Sequence, residues 1–418
     1  MVTAVEHIQQ PRRRPQAAAS IFATAMPTLW PHMIVPAARR AVLPYPFSAP
    51  GVRYFYFARN GVYEIVRHLE LQGQEVLFPA YCHGVELEAL LAAGARPKFY
   101  PVRAGMRVEV DEVAALIGPE TKAIYLIHYV GFPGPVVELR RLCDERELWL
   151  IEDCALALLS RQGEQPLGSF GDASVFCLYK TVPAPNGGAV ILRGVETAKL
   201  SAGQPPSLAS LVSQTAVSLL LNFEMRSGVL GHKLRQTALA LGKATLQTSR
   251  ADRVATGTQH FDPAHVGLAM SDFSLAVIAA QDCAAVVERR RRNYLYLFAQ
   301  LRELLPPIFA ELPAGVCPLF YPLQAGNKLS LMARLRANGV ETIDFWRERH
   351  PAILPEVFPE VEQLRQSVIW LPCHQDLTPA AVERLATVAQ QAIQQVIRDE
   401  RRVYYSAVRG AVPNIQEL

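Results

Sequence analysis

A lysine directly follows an apolar run in the segment VFCLYKTVPAPNGG, residues 175 to 188. A lysine held in apolar surroundings has a lowered pKa and can form a Schiff base with a carbonyl compound. A surface lysine at a strand end is the ordinary alternative. The unbroken apolar run before Lys180, together with Gly187 and Gly188, which permit a tight turn or a close approach of backbone, favours the chemical role.

A carboxylate occupies a comparable position in LWLIEDCALALL, where Asp153 follows the apolar run LWLI and Glu152. One interpretation is a helix N-cap, for which aspartate is well suited. The other is a partly buried carboxylate that holds a cation. No basic residue lies beside Asp153 in this segment, so the cation would come from elsewhere in the chain or from a ligand.

The segment FYFARNGVYEIVRHL, residues 55 to 69, predicts a strand that ends near Ala58 and a helix that starts near Gly61. Free amides and the positive end of the helix dipole suit a phosphate group. The patterns G-x-G-x-x-G and the P-loop are both absent, so the glycine is a weak signal by itself. A lysine, a carboxylate and a helix N-terminus together are what a phosphorylated pyridine aldehyde requires.

The sequence pattern from residue 50 to 195 predicts the strands and helices that position these residues. Short apolar runs at 75–78, 97–102, 122–128 and 148–153 alternate with helical patterns of about ten residues. Such alternation indicates an α/β fold with a mostly parallel sheet and helices on both faces. The residues Tyr81, His83, His128, Asp153 and Lys180 follow strand ends, where ligands bind in open parallel sheets.

Longer helices are predicted after residue 195, at about 208–222, 229–248 and 271–301, with two more at about 328–338 and 378–400. This pattern predicts three parts: a mobile N-terminal arm (1–25), a large domain (26–270) with a helical insertion near 200–250, and a long linking helix with a smaller α/β domain (271–418).

The charge balance and the cysteines restrict the function. Forty-two basic and 38 acidic residues give a formal charge of +4, too weak and dispersed to indicate nucleic-acid binding. The run Arg289–Arg292 is interpreted as a solvated helix face. Seven scattered cysteines without ligand spacing indicate reduced thiols in a cytoplasm and no metal site.

Residues 200 to 223 carry no charge. A spanning helix needs about 20 mostly apolar residues, but Pro205 and Pro206 interrupt the start, and Ser, Gln and Thr recur afterwards. A buried or partner-facing helix is the favoured interpretation, followed by association with a membrane surface; a true span is least favoured.

The motifs together resemble the DegT/StrS-type sugar aminotransferases, which are pyridoxal phosphate enzymes of fold type I. IEDCA resembles the family's E-D-x-A block, LIHYVGFPG its H-x-x-G segment, and GSFGDASVFCLYKTVPAPNGGAVIL its G-D-x-x-x-F…K…GG block. The resemblance runs from about 55 to 195 and continues more faintly at 270–297 and 371–378. It implies a large domain that binds pyridoxal 5'-phosphate and a smaller C-terminal α/β domain.

The resemblance also implies residue roles. Lys180 would bind the cofactor covalently and move protons, and Asp153 would pair with its pyridine nitrogen. An aromatic ring covering the cofactor would be His83, with Tyr81 as the alternative. The remaining cofactor contacts would be Asn60 and Gly61 at the phosphate, and Cys177 or Ser174 where the family commonly has a serine.

The implied reaction transfers an amino group from an amino acid, typically glutamate, to a keto group of a nucleotide-linked sugar or a related small ketone. The implied assembly is a homodimer. Leu156 departs from the family pattern, which has a polar residue there, and Arg59-Asn60-Gly61-Val62 replaces the usual Ser-Gly-Thr. Two alternatives stay open: another pyridoxal phosphate reaction on a non-sugar substrate, and a cofactor-binding regulatory or scaffold subunit without turnover.

Overall fold

The structure is a computed structural model that describes residues 22–34, 43–194, 203–248, 254–256, 258 and 260–410. Most of the predicted mobile arm, residues 1–21, lies outside the described residues, as do residues 200–202 of the uncharged segment. The described end of the arm contacts the C-terminal part of the chain, because Ala23 forms a parallel bridge with Val340.

A seven-stranded sheet forms the centre of the large domain. The strands of this sheet are β1 (Arg53–Phe55), β2 (Glu75–Pro79), β3 (Arg96–Tyr100), β4 (Thr121–Ile127), β5 (Trp149–Asp153), β8 (Ala173–Cys177) and β9 (Gly188–Leu192). Between β5 and β8, the strands β6 (Arg161–Gln162) and β7 (Gln165–Pro166) form a separate hairpin. The sheet order is β1-β9-β8-β5-β4-β2-β3. The pairs β2–β3, β2–β4, β4–β5 and β5–β8 are parallel, whereas β9 is antiparallel to β1 and β8. The predicted mostly parallel sheet is confirmed.

Helices connect the parallel strands as the alternation predicts. They are α1 (Ala58–His68), α2 (Val85–Ala92), α3 (Val110–Ala115) and α4 (Val136–Arg146). The predicted start of α1 near Gly61 is wrong by three residues: Phe57 is extended and Ala58 already begins the helix. Gly61 serves packing instead, because a Cβ there would lie 2.3 Å from Val190 Cγ2 on β9.

A helical hairpin follows the large sheet. It consists of α5 (Leu208–Ser227) and α6 (Val229–Thr248), which agrees with the predicted helices, and Gly228 with φ +60° separates them. The predicted single helix over 271–301 is divided into α7 (Asp272–Ala279) and α8 (Cys283–Leu301). The division occurs because the Asp282 carboxylate accepts the N–H of Ala285 and caps α8.

The C-terminal part contains a second, smaller sheet. It is antiparallel, in the order β10 (Phe320–Gln324), β12 (Val368–Pro372), β11 (Ile343–Asp344). Its helices are α9 (Lys328–Ala337), α10 (Pro359–Ser367), which the sequence pattern did not predict, and α11 (Pro379–Gly410). The smaller α/β part therefore exists; the domain limits at 26–270 and 271–418 stay predictions.

Candidate active site

A cavity of about 530 Å³ lies beyond the carboxyl ends of the parallel strands. Four of the predicted site residues line it: Lys180, Asp153, His83 and Cys177. The small domain supplies an aromatic wall that consists of Phe345, Trp346 and Trp370. Residues separated by almost 300 positions thus enclose one space.

Lys180 follows β8 by three residues and lines the cavity half-buried. In the described residues, no hydrogen bond or ion pair engages its amine, so Nζ is available to a ligand. Cys177 ends the same strand and faces the same cavity. Burial raises the pKa of the Cys177 thiol, although the charge of Lys180 acts in the opposite direction. Cys177 is therefore a neutral thiol that contributes packing rather than charge.

Asp153 ends β5 and is only 5% exposed. Its Oδ2 accepts a hydrogen bond from the Tyr125 hydroxyl at 2.7 Å, and its Oδ1 accepts the N–H of Ala155 at 2.8 Å. No helix begins after Asp153, where residues 155–156 and 158–159 form turns, so the N-cap interpretation is wrong. Burial, with a smaller effect from the charge of Glu86, raises the pKa of Asp153 to about 6. A cationic ligand beside Asp153 would stabilise the ionised carboxylate and lower this pKa.

The N-terminus of α1 opens into the cavity, where Phe57, Ala58, Arg59 and Val62 line it. The first N–H groups of a helix lack acceptors within the helix, and the Phe57 side chain supplies none. Gly188 permits this placement, because a Cβ there would lie 2.5 Å from the backbone nitrogen of Ala58. The predicted phosphate-binding element, the N-terminus of α1, thus lies at the same cavity as Lys180 and Asp153.

Asn60 and Gly61 are not among the residues that line the cavity. Asn60 is fully buried, and its Nδ2 donates to the carbonyl oxygen of His265 at 2.7 Å. Arg59 does line the cavity; its guanidinium lies over the Phe57 ring and donates to Thr258 Oγ1 at 2.6 Å. The backbone N–H of Asn60 donates to the carbonyl oxygen of Phe57 at 3.2 Å, so neither the side chain nor the N–H of Asn60 is free for the predicted phosphate role.

Of the two residues predicted to cover the cofactor, His83 lines the cavity and Tyr81 does not. His83 lines the cavity, and burial, with smaller effects from the charges of Lys180 and Arg59, lowers the pKa of its ring to about 4. The ring is therefore neutral at neutral pH and can stack on a flat ligand. Tyr81 is fully buried behind the cavity, where it packs against Trp346 with ring centroids 5.1 Å apart.

Ser174 lies on the sheet face opposite to the cavity. It pairs in register with Glu152, whereas Asp153 pairs with Val175, and adjacent residues of a strand point to opposite faces. Glu152 accepts hydrogen bonds there from the backbone N–H of Phe170 at 2.7 Å and from His128 Nε2 at 3.0 Å. His128 and Glu152 therefore support the loop before β8 instead of facing the crevice.

Glu86 was not predicted as a site residue, yet it lines the cavity and is 7% exposed. Its Oε1 accepts the backbone N–H of His83 at 2.8 Å, which orients the turn that carries the histidine. Burial raises the pKa of the Glu86 carboxyl. The available signal was its position in the first turn of α2, where a glutamate can accept a backbone N–H of the preceding turn, here that of His83 three residues earlier.

A buried arginine on α10 joins the two sides of the cavity. Arg365 Nη1 donates to the carbonyl oxygens of Trp346 at 2.7 Å and Cys82 at 3.1 Å, and Nη2 donates to that of Ala80 at 3.1 Å. Trp346 has φ +48°, an unfavourable conformation for an aromatic residue. Arg365 therefore holds the strained Trp346 segment next to the turn that precedes His83.

The interpretation of Arg289–Arg292 as a solvated helix face is wrong for Arg290, which is a second buried arginine. Arg290 is fully buried, and its Nη1 donates to the carbonyl oxygen of Leu319 at 2.9 Å. Its Nη2 donates to the carbonyl oxygen of Thr181 at 3.0 Å. The residue after the candidate catalytic lysine is thus tied to α8 and to the segment that leads into the small sheet.

We expect Arg290→Lys to lower the free energy of unfolding by about 2–4 kcal/mol, because buried carbonyl oxygens that lose their donors cost about 1–3 kcal/mol each. Arg292→Lys, at an exposed position of the same helix, is the matched control and should be neutral. Urea denaturation of both variants measures the difference. Equal urea midpoints for the two variants would show that the hydrogen bonds from Arg290 to the buried carbonyl oxygens do not stabilise the fold.

The described structure has the fold of solved aminotransferases. It superposes on PseC of Helicobacter pylori, an aminotransferase involved in the biosynthesis of pseudoaminic acid, with a TM-score of 0.64 at 16% identity over 90% of this chain and 100% of that chain. The aminotransferase TlmJ of Streptoalloteichus hindustanus gives 0.58 at 23% identity over 83% and 87%. These likenesses establish the fold.

Sequence comparison assigns the chain to one family of aminotransferases. The model of the DegT/DnrJ/EryC1/StrS aminotransferase family matches residues 65–390, and the chain belongs to this family. GDP-perosamine synthase of Vibrio cholerae is 35% identical over 29% of this chain and 34% of its own length. A dTDP-3-amino-3,4,6-trideoxy-alpha-D-glucose transaminase of Micromonospora megalomicea subsp. nigra is 33% identical over 36% of this chain and 42% of its own length. The matches thus span less than half of these relatives.

Proposed function

We propose that this chain is a pyridoxal phosphate-dependent aminotransferase that moves an amino group from an amino acid, glutamate in the first instance, to a keto group of a nucleotide-linked sugar or a related small ketone. The observation that carries the proposal is the meeting of Lys180, Asp153 and the N-terminus of α1 in one cavity. Membership of the aminotransferase family supports it.

The residues of the cavity fit this cofactor. Asp153 is a buried carboxylate without an ion-pair partner among the described residues, and burial raises its pKa; a protonated pyridine nitrogen beside it would stabilise the ionised form. The amides at the start of α1 suit a phosphate. When bound, pyridoxal phosphate supplies an aldehyde that condenses with amines and a ring that withdraws electrons. Spr1654 of Streptococcus pneumoniae, which shares the fold, was solved in a PLP form.

Each residue then has a task of its own. Lys180 Nζ would hold the cofactor at its aldehyde carbon and would be placed to take up the proton of the donor carbon. The Asp153 carboxylate would hold a proton on the pyridine nitrogen, and Tyr125 and the N–H of Ala155 fix the orientation of the carboxylate. The neutral ring of His83 would pack against the cofactor ring, and the aromatic wall of the small domain would limit the access of water.

The substrate proposal relies on relatives whose names mention nucleotide-linked sugars. Leu156 lines the cavity where the family pattern has a polar residue, so this part of the site offers apolar surface to the acceptor. We also propose a homodimer and a cytoplasmic location. The buried, unpaired state of all seven cysteines supports the location, because disulfides are rare in reducing compartments.

The visible spectrum of the purified protein with added pyridoxal phosphate tests the proposal. We expect a yellow absorbance band that glutamate removes and a keto acceptor restores. A colourless protein unable to take up the cofactor would refute the proposal. A band that changes with other amino compounds, but without amino transfer, would favour a different pyridoxal phosphate reaction, and a band indifferent to every donor would favour a scaffold subunit.

A further inference from the structure

The helix α5 has its polar residues turned toward the protein. Four of them recur at every fourth position, and each forms a hydrogen bond with another part of the chain. Ser210 Oγ accepts the N–H of Val254 at 2.9 Å, Gln214 Nε2 donates to the Tyr56 hydroxyl at 2.7 Å, Ser218 Oγ accepts the N–H of Leu29 at 2.8 Å, and Asn222 Nδ2 donates to Thr28 Oγ1 at 3.0 Å. These bonds fix which side of the helix faces the body.

The opposite side of α5 is apolar and faces outward. Leu208, Val212, Ala216, Leu219 and Phe223 recur at intervals of three or four residues and form one stripe, which we call the outer face of α5. Leu208 is 73% exposed, Val212 57% and Phe223 40%. In an ordinary surface helix the apolar stripe would face the core. Monomeric soluble proteins rarely leave large contiguous apolar patches uncovered.

The hairpin extends this surface. At the start of α6, Val229, Leu230 and Leu234 are also exposed. By length and composition α5 could cross a membrane, yet the four polar anchors hold it along the body of the protein. The outer face of α5 therefore requires a covering surface that it meets side-on.

The charges favour a second copy of this chain over a lipid surface. An interface between identical copies must be complementary to itself, and the outer face carries no charge from Leu208 to Phe223, so no like charges would meet. Binding to anionic lipid uses free basic residues. Arg226 lies over the Trp30 ring and Arg235 pairs with Glu224, whereas Lys233 is exposed on α6. One exposed lysine falls short of the clusters of about four to eight basic residues that bind anionic lipid.

We propose that the outer face of α5 is a contact between two copies of this chain in solution. This inference rests on the homodimer of the proposed function and assigns one of its surfaces. The four polar anchors then have a purpose, because they present the apolar stripe in a fixed orientation to the partner.

Val212→Glu tests the contact directly, with Val137→Glu on α4, which is 50% exposed, as the matched control. Sedimentation over a wide range of protein concentration should give a dimer for the natural chain and for the control. We expect Val212→Glu to raise the dimer dissociation constant by about 100-fold or more, because an unpaired charge would be buried. A natural chain that is monomeric at every concentration would overturn the proposal.

A second measurement keeps the proposal testable if Val212→Glu does not fold. All seven native cysteines are buried, so the alkylation rates of Val212→Cys and Val137→Cys report on the introduced thiols. We expect the rate at position 212, and not at 137, to fall as dimer forms. Equal rates in a stable dimer would refute this surface while leaving the homodimer intact. Protection of position 212 only upon addition of vesicles of phosphatidylcholine and phosphatidylglycerol would assign the face to lipid instead.

Discussion

Lys180→Ala should abolish the yellow absorbance of the protein with pyridoxal phosphate and lower the rate of amino transfer by about 10⁴-fold or more, because the same amine attaches the cofactor and moves the proton. The amine lies in a cavity where, among the described residues, it has no other partner. Absorbance spectra and single-turnover reactions with glutamate measure both effects.

Lys122→Ala is the control for this prediction, because Lys122 is exposed on β4 and far from the carboxyl end of the strand. It should leave both the spectrum and the rate unchanged. A small primary amine added to the Lys180→Ala variant should restore part of the proton transfer. The assignment of Lys180 would fail if the variant kept the same absorbance band.

The sequence predicted the parts of the site that depend on local pattern. Apolar runs that are buried on both faces define β4, β5 and β8, and parallel order brings their ends together. The sequence pattern therefore predicts Lys180 and Asp153 in one crevice. The family resemblance supplied their roles.

Contacts between distant segments could not be predicted in the same way. Asn60 donates to a carbonyl oxygen more than 200 residues away. Ser174 and Cys177 are three residues apart on β8 and therefore face opposite sides of the sheet, and only the packing of the chain decides which of them meets the cavity. Arg290 looked like part of a charged surface because four arginines are consecutive, yet a helix turns 100° per residue and only one of them is fully buried. Such assignments depend on tertiary packing, which periodicity does not encode.

Asp153→Asn should weaken cofactor binding by about 150- to 5,000-fold, because loss of one member of a buried charge pair costs about 3–5 kcal/mol. In the cofactor-free protein, the same substitution should raise the free energy of unfolding. With a pKa of about 6 in the folded protein, against an ordinary value of 3.8, the Asp153 carboxyl binds its proton more tightly when folded. Its ionisation therefore destabilises the folded state.

This destabilisation should be absent below pH 4 and should grow as the pH rises through 6. At pH 8 we expect cofactor-free Asp153→Asn to exceed the natural chain in unfolding free energy by about 2–3 kcal/mol, since one pKa unit corresponds to about 1.4 kcal/mol. Urea denaturation from pH 4 to 8 measures the difference, with the exposed Asp111→Asn as control. A pH-independent difference would contradict the raised pKa. If the protein is more stable without the Asp153 carboxylate but then binds the cofactor poorly, the carboxylate is kept for function at the expense of stability.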